Sequence, residues 1–341
     1  MFAHEEVHVV TGSRSALPVV VALHSTVLGP AIGGCRIWTY PDWREGMADA
    51  LRLSAGMTAK CAVAGLANGG GKTVVALPPG DRLDADRRRA VLLDVGDAIA
   101  SCGGRYATGP DVGTGPADMA VIAERTAGVF CRPTDAGGSG DSSPHTATGV
   151  LAALRATCDY LDGPTDLGGR SFAVVGLGHV GADVAGRLAA TGARLVVSDI
   201  DPDARRLADQ LGAVWAEPDE ALTADVDVLV PAALGGVLTP ELVPRLRCRA
   251  IVGPANNQLA TPSVAELLRE QDVLWAPDYV ASAGGIVHAI ATELYREPQE
   301  TVAARIDQIG STLTDLYRAA AAAGQTPAVA AEQLVAARLK A

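Results

Sequence analysis

Val174-Val175-Gly176-Leu177-Gly178-His179-Val180-Gly181 is the stretch on which the fold turns. It spells G-x-G-x-x-G where an apolar run, Ser171–Val175, gives way to helical spacing over Val180–Ala190. Glycines in this frame allow a tight turn and let the backbone approach a pyrophosphate, which the following helix N-terminus stabilises. Asp199 closes the next β-like run, Arg194–Ser198, 23 residues after Gly176. A carboxylate there accepts from a ribose 2′-hydroxyl and repels a 2′-phosphate, which favours NAD over NADP. The bland alternatives are a glycine-rich turn in another α/β fold and, for Asp199, a simple cap of the next helix.

Downstream of the fingerprint, Asp227–Val230, Ala250–Val252 and Val273–Trp275 read as strands with helical stretches between them. Strands alternating with helices predict a parallel sheet covered on both faces. The tail from about Glu300 is helical, and Thr326-Pro327 has the form of an N-cap with proline at the first helical position. Upstream, a loop rich in Gly, Ser, Pro and Asp runs from about Pro133 to Pro144 and marks the boundary. Before it the pattern is mixed: strands at Val7–Val10, Val19–Leu23, Arg36–Thr39 and Thr73–Leu77, helices over Glu45–Lys60 and from Asp84 to about Ser101. The expectation is a two-domain α/β protein. An N-terminal domain would span 1–135 and a Rossmann-type, doubly wound domain 145–325, separated by a cleft, with the helix 326–341 returning to the first.

The chain has 341 residues, a net charge of −11 and 48% hydrophobic residues, enough apolar material for two cores. The acidic balance argues against wrapping a nucleic acid. No apolar run approaches a membrane span, and the N-terminus lacks a basic-then-apolar signal pattern. Its six cysteines never lie closer than 26 residues, so no Cys-x-x-Cys pair exists, and no metal site is expected. Free thiols fit a reducing compartment, hence a cytoplasmic location.

Of 28 basic residues, only Lys60, Lys72 and Lys340 are lysines. Arginine serves wherever a fixed positive charge suffices; a buried lysine can act as an acid or base. Lys60 would lie near the end of a helix. Lys72, behind Gly69-Gly70-Gly71, would lie where a loop enters a strand, with backbone packed close to a ligand. The frame misses a phosphate-binding P-loop, because Gly65 and Gly71 are six apart and not five. A solvated helix end and a strand-edge charge stay open for the two lysines. For Asp111, between turn residues in Gly109-Pro110-Asp111-Val112-Gly113-Thr114, an Asx-turn and catalysis both stay open.

Taken together, several stretches resemble the leucine/valine/phenylalanine dehydrogenases, amino-acid dehydrogenases related to glutamate dehydrogenase. They are Leu28 to Gly34, Gly56 to Lys72, Asp111 to Thr114, the glycine fingerprint, Ala255-Asn256-Asn257-Gln258-Leu259 and Ala276-Pro277-Asp278-Tyr279-Val280. The resemblance spans roughly residues 20 to 295. It implies NAD-dependent, reversible oxidative deamination of an apolar L-amino acid to the 2-oxo acid and ammonia by a homodimer or larger homo-oligomer. Lys72 matches the catalytic lysine and Asp111 the aspartate that shuttles the amine proton. Lys60 matches the lysine that binds the α-carboxylate. Gly33, Gly34 and Met57 would lie beside the substrate, Asn256 and Asn257 near substrate and nicotinamide. Ile32, Phe130, Ile286 and Ala289 would line the side-chain pocket. The cofactor would touch Gly176, Leu177, Gly178, His179, Val180, Gly181, Asp199, Ile200 and Ala232, with Asn256 shared. Departures from the family pattern are Cys35, Ala67, Ser282 and the bulky pair Phe130-Cys131 in place of Thr-Gly. The rivals are another two-domain Rossmann oxidoreductase and a non-catalytic NAD-binding regulator.

Overall fold

The computed structural model describes residues 3–164 and 166–340. They form two compact units. The first holds the chain up to Asp141, together with Ala289–Glu297 and the end from Val335; the second holds Ser142–His288 and Pro298–Leu334.

The first unit is built from β1 (Glu6–Thr11), β2 (Pro18–Ser25), β3 (Ala31–Thr39), α1 (Trp43–Val63), β4 (Gly69–Leu77), α2 (Ala85–Ala100), β5 (Tyr106–Pro110) and α3 (Pro116–Ile122). Its sheet runs in the order β1-β2-β4-β3-β5. β2 is antiparallel to β1 and β4, whereas β3 is parallel to both β4 and β5. Asp42 and Asp84 start α1 and α2 by accepting from Arg44 N and Arg87 N, each satisfying one amide that the helix leaves open. Val19, Val21 and Leu23 of β2 pack with Val91, Leu92 and Val95 of α2 on one face of the sheet. Val20, Ala22, Val74 and Ala76 face Ala50 of α1 on the other. Alternate strand residues thus feed two cores.

The triple glycine corrects one expectation. Gly69-Gly70-Gly71 is not loop; it opens β4, which is buried along nearly its whole length. A Cβ at Gly69 would sit 1.8 Å from Ser25 O, at Gly70 2.1 Å from Thr58 N, and at Gly71 2.6 Å from the Tyr106 ring. The backbone approach is to the protein's own β2, α1 and β5, not to a ligand, and this close packing extends the strand back from Thr73.

The second unit begins with α4 (Ser143–Asp162). β6 (Ser171–Val175), α5 (His179–Ala190), β7 (Arg194–Ser198), α6 (Arg205–Leu211), β8 (Val214–Trp215), α7 (Pro218–Leu222) and β9 (Val228–Pro231) follow. β10 (Ala250–Ile251), α8 (Val264–Glu270), β11 (Leu274–Trp275), α9 (Asp278–Ala281), α10 (Gly284–Ala289), α11 (Gln299–Ala323) and α12 (Pro327–Arg338) complete the strands and α-helices among the described residues. The six strands are parallel in the order β11-β10-β9-β6-β7-β8. This doubly wound sheet is the Rossmann arrangement that the alternating pattern predicts.

Residues 289–297 depart from the expected single boundary, because they are tied to the first unit. Tyr295 OH donates to Asn68 Oδ1 at 2.6 Å, and Glu293 accepts from the 131–139 loop. The last helix divides as well: its residues up to Leu334 belong to the second unit. Both contacts join residues more than 150 positions apart, beyond the reach of local pattern.

Candidate active site

Three elements of the first unit converge on Asp111. β4 carries Lys72, whose Nζ lies 2.8 Å from Asp111 Oδ2, and β3 carries Arg36, whose Nε donates to the same oxygen at 2.7 Å. β5 ends at Pro110, so Asp111 stands at the strand's C-terminal edge. Lys72 is 4% exposed. A Cβ at Gly34 would meet Asp111 Cβ at 2.7 Å and Lys72 Nζ at 3.0 Å, so this glycine leaves the space that the pair occupies. Gly33 lies beside it against Gly71 O.

Burial pushes the Asp111 carboxyl up, but the Lys72 and Arg36 charges outweigh it and bring it down to about 2. Asp111 is therefore a carboxylate at neutral pH. Its folded value lies below the unfolded one of about 3.9, so it adds stability above that value, which is lost as pH falls toward 2. Nor is it an Asx-turn residue. The local turn runs through backbone and hydroxyl, with Thr114 N donating to Asp111 O and Asp111 N to Thr114 Oγ1. The side chain is left for the two cations.

Arg36 was not legible as a site residue. Its NH1 donates to Asp49 Oδ2 at 2.7 Å, and Asp49 also accepts from Tyr40 OH and Arg52. Asp49 and Tyr40 thus hold Arg36 on Asp111. The signal lies in spacing 75 residues long, with no local motif to mark it. Cys35, next to Arg36, is buried, and burial pushes its thiol up to about 12, so it carries no thiolate chemistry.

Lys60 sits half-buried in the last turn of α1, and Met57 lies one turn earlier on the same helix face. Phe130 is buried, with its ring against Gly109, where a Cβ would come within 2.3 Å of it. Ile32 and Ala289 are fully buried.

In the second unit the fingerprint forms a cradle. Gly176, at φ +106°, would carry a Cβ 2.6 Å from Ala233 N, and a Cβ on Gly181 would stand 2.0 Å from Gly176 O. Around Gly178 nothing lies within 4 Å of that position, leaving room at the N-terminus of the 12-residue α5. Asp199 follows β7 and accepts from Leu177 N at 2.6 Å and Asp201 N at 2.9 Å. Ile200 is 87% exposed, Ala232 is half-buried beside Gly181, and His179 and Val180 start α5. The space, the helix end and the carboxylate fit a dinucleotide.

The chain also matches known proteins over most of its length. Residues 1–127 match the Glu/Leu/Phe/Val dehydrogenase, dimerisation domain, and residues 203–339 match Glutamate/Leucine/Phenylalanine/Valine dehydrogenase. The chain belongs to this family. It is similar to a valine dehydrogenase of Streptomyces albus, 40% identical over 98% of this chain and 92% of that one. A phenylalanine dehydrogenase of Lysinibacillus sphaericus is 38% identical over 93% and 84%, respectively. A solved structure of L-tryptophan dehydrogenase from Nostoc punctiforme superposes with a TM-score of 0.83, at 33% identity, over 99% of this chain and 96% of that one. The protein is thus an amino-acid dehydrogenase, an oxidoreductase acting on a CH–NH2 donor, in a family that generally uses a nicotinamide cofactor. Among its described residues no helix is long and apolar enough to cross a membrane.

Within this dehydrogenase, Asn256 and Asn257 are exposed on a turn, with Asn257 at φ +54°. Ser282, one of the departures from the family pattern, donates to Asn256 Oδ1 at 3.4 Å. Gln258 is a residue that sequence reasoning passed over. Fully buried, it donates to Gly253 O and Ala255 O, accepts from Trp275 Nε1, and its amide donates to Asp278. It pins the turn from below and leaves the two asparagines facing out. Ile286 is half-buried on α10 of the same unit.

Proposed function

We propose that this enzyme catalyses the reversible, NAD-dependent oxidative deamination of an apolar L-amino acid to its 2-oxo acid and ammonia, as a cytoplasmic homodimer or larger homo-oligomer. The observation that carries the reading is the Lys72–Asp111 contact of 2.8 Å in a space cleared by Gly34. Lys60 pairs with the substrate carboxylate. Asp111 takes a proton from the substrate ammonium, leaving the neutral amine that oxidation at Cα requires. The Gly176–Gly181 cradle and Asp199 would hold NAD, which when bound would supply the acceptor for the Cα hydride. The Lys72 ammonium polarises the oxygen that forms at the iminium carbon. Asp111, once its proton has passed to solvent, takes one from the attacking water and hands it to the amine; it then takes the hydroxyl proton as the carbonyl forms and ammonia leaves. Asn256 and Asn257 would orient the substrate and the cofactor's amide.

Ile32, Phe130, Ile286 and Ala289 carry no charge, which favours apolar side chains. The match of residues 1–127 to a dimerisation domain supports self-association. The test is NADH formation across about thirty L-amino acids, with NADH oxidation by a 2-oxo acid measured with and without ammonia. Turnover confined to apolar L-amino acids, with ammonia dependence in reverse, is expected. NADH binding without turnover on any of them would overturn the reading in favour of a regulator.

A further inference from the structure

Residues 290–294 form a π-helical turn, a rare geometry that often marks functional sites. On this turn stands Glu293, a carboxylate with 6% of its side chain exposed and no part in the reaction described above. Its Oε1 accepts from Cys131 N at 2.5 Å, Ser139 N at 2.8 Å and Ser139 Oγ at 2.6 Å. The Arg132 guanidinium stays 3.9 Å from Oε2, a charge pairing without a hydrogen bond. A buried carboxylate with three donors on one oxygen is a strong local constraint.

What it constrains is a strained backbone. Cys131 sits at φ +58°, the left-handed region that a side chain with a Cβ enters at a cost. Phe130 immediately precedes it; its N donates to Thr108 O and its ring covers Gly109, two residues before Asp111. Ala289 lies four residues before Glu293 and is fully buried.

We propose that Glu293 is a positioning residue for side-chain selection, holding the Phe130–Cys131 backbone against the segment that carries Ala289. The carboxylate keeps Cys131 left-handed, which aims Phe130 and sets the room left for the substrate side chain. This rests on the reading that Phe130 and Ala289 line the pocket.

The experiment compares kcat/KM for valine, leucine and phenylalanine in Glu293→Ala, Glu293→Asp, Glu293→Gln and Glu293→Ala with Cys131→Gly. Glu293→Ala should change the phenylalanine-to-valine ratio by about tenfold, mainly through KM, with NADH affinity unchanged. Glu293→Gln, which keeps the accepting oxygen, should stay within about threefold of the parent. Adding Cys131→Gly should bring the Ala variant back toward the parent ratio, because glycine adopts this backbone without help. If Glu293→Ala does not fold, Glu293→Asp, whose carboxylate falls one methylene short, should shift the ratio in the same direction. Unchanged ratios in the folded variants, or an equal loss for all three substrates, would overturn the proposal. Phe130→Thr and Ala289→Val serve as controls. If they shift the ratios and the Glu293 variants do not, the positioning role alone fails; if they do not either, the pocket reading fails and takes this inference with it.

Discussion

Asp111 and Asp199 each directly follow the last residue of a parallel strand, one in each unit, and they are held by opposite means. Asp111 is gripped by two cations, Arg36 from the neighbouring strand β3 and Lys72 from β4, one strand further in. Asp199 is gripped by two backbone amides, Leu177 N and Asp201 N. The first site therefore depends on side chains assembled from distant positions, and a single substitution can dismantle it. The second depends on a local backbone path that most side-chain changes leave in place. Reaction chemistry in the first unit should be brittle, whereas cofactor preference in the second should be adjustable.

Asp111→Asn should break this contrast most severely. It keeps the shape, removes the charge that pairs with Lys72 and Arg36, and should lower kcat by about 10² to 10⁴, as loss of an acid–base group does. NADH affinity, measured by fluorescence titration, should change little. Lys60→Ala should act differently, raising KM for the amino acid well above any loss in kcat, since an ion pair made in ground and transition states alike affects binding. A pure kcat loss would mean that Lys60 does not bind the carboxylate.

On the cofactor side the expected effect is smaller. Asp199→Ser together with Ile200→Arg should erode the NAD preference by about 1–3 kcal/mol, read as the ratio of kcat/KM for NAD and NADP. A parent enzyme that already prefers NADP would refute the role given to Asp199. Shifts of the same order belong to the pocket. Phe130→Thr should move selectivity toward larger side chains and Ala289→Val toward smaller ones, by about 1–3 kcal/mol in kcat/KM ratios.

The same contrast governs what was legible in the sequence. β6, β7 and the fingerprint show up as spacing, because Gly181 packs on Gly176 O and Asp199 accepts from Leu177 N within one short stretch of chain, and the strand limits at 171–175 and 194–198 are recovered. Around Asp111 the sequence offers scarce lysines and a family resemblance, but not Arg36, Asp49 or Glu293. Arg36 meets Asp111 across 75 residues, and Glu293 meets Cys131 across 162. Arg36 lies in a run that reads as ordinary strand, and no local motif marks Glu293. The triple glycine was misread for a related reason. Glycine signals a close approach without saying to what, and here the partners are Ser25, Thr58 and Tyr106.

The central claim is that Lys72 performs chemistry in the first unit while the second holds the cofactor independently. Lys72→Ala tests it most directly, with kcat and NADH Kd measured on the same preparation. The account predicts a kcat about three orders of magnitude lower and an NADH Kd close to that of the parent. Turnover comparable to the parent, or a loss of NADH binding that accounts for the loss of rate, would contradict it.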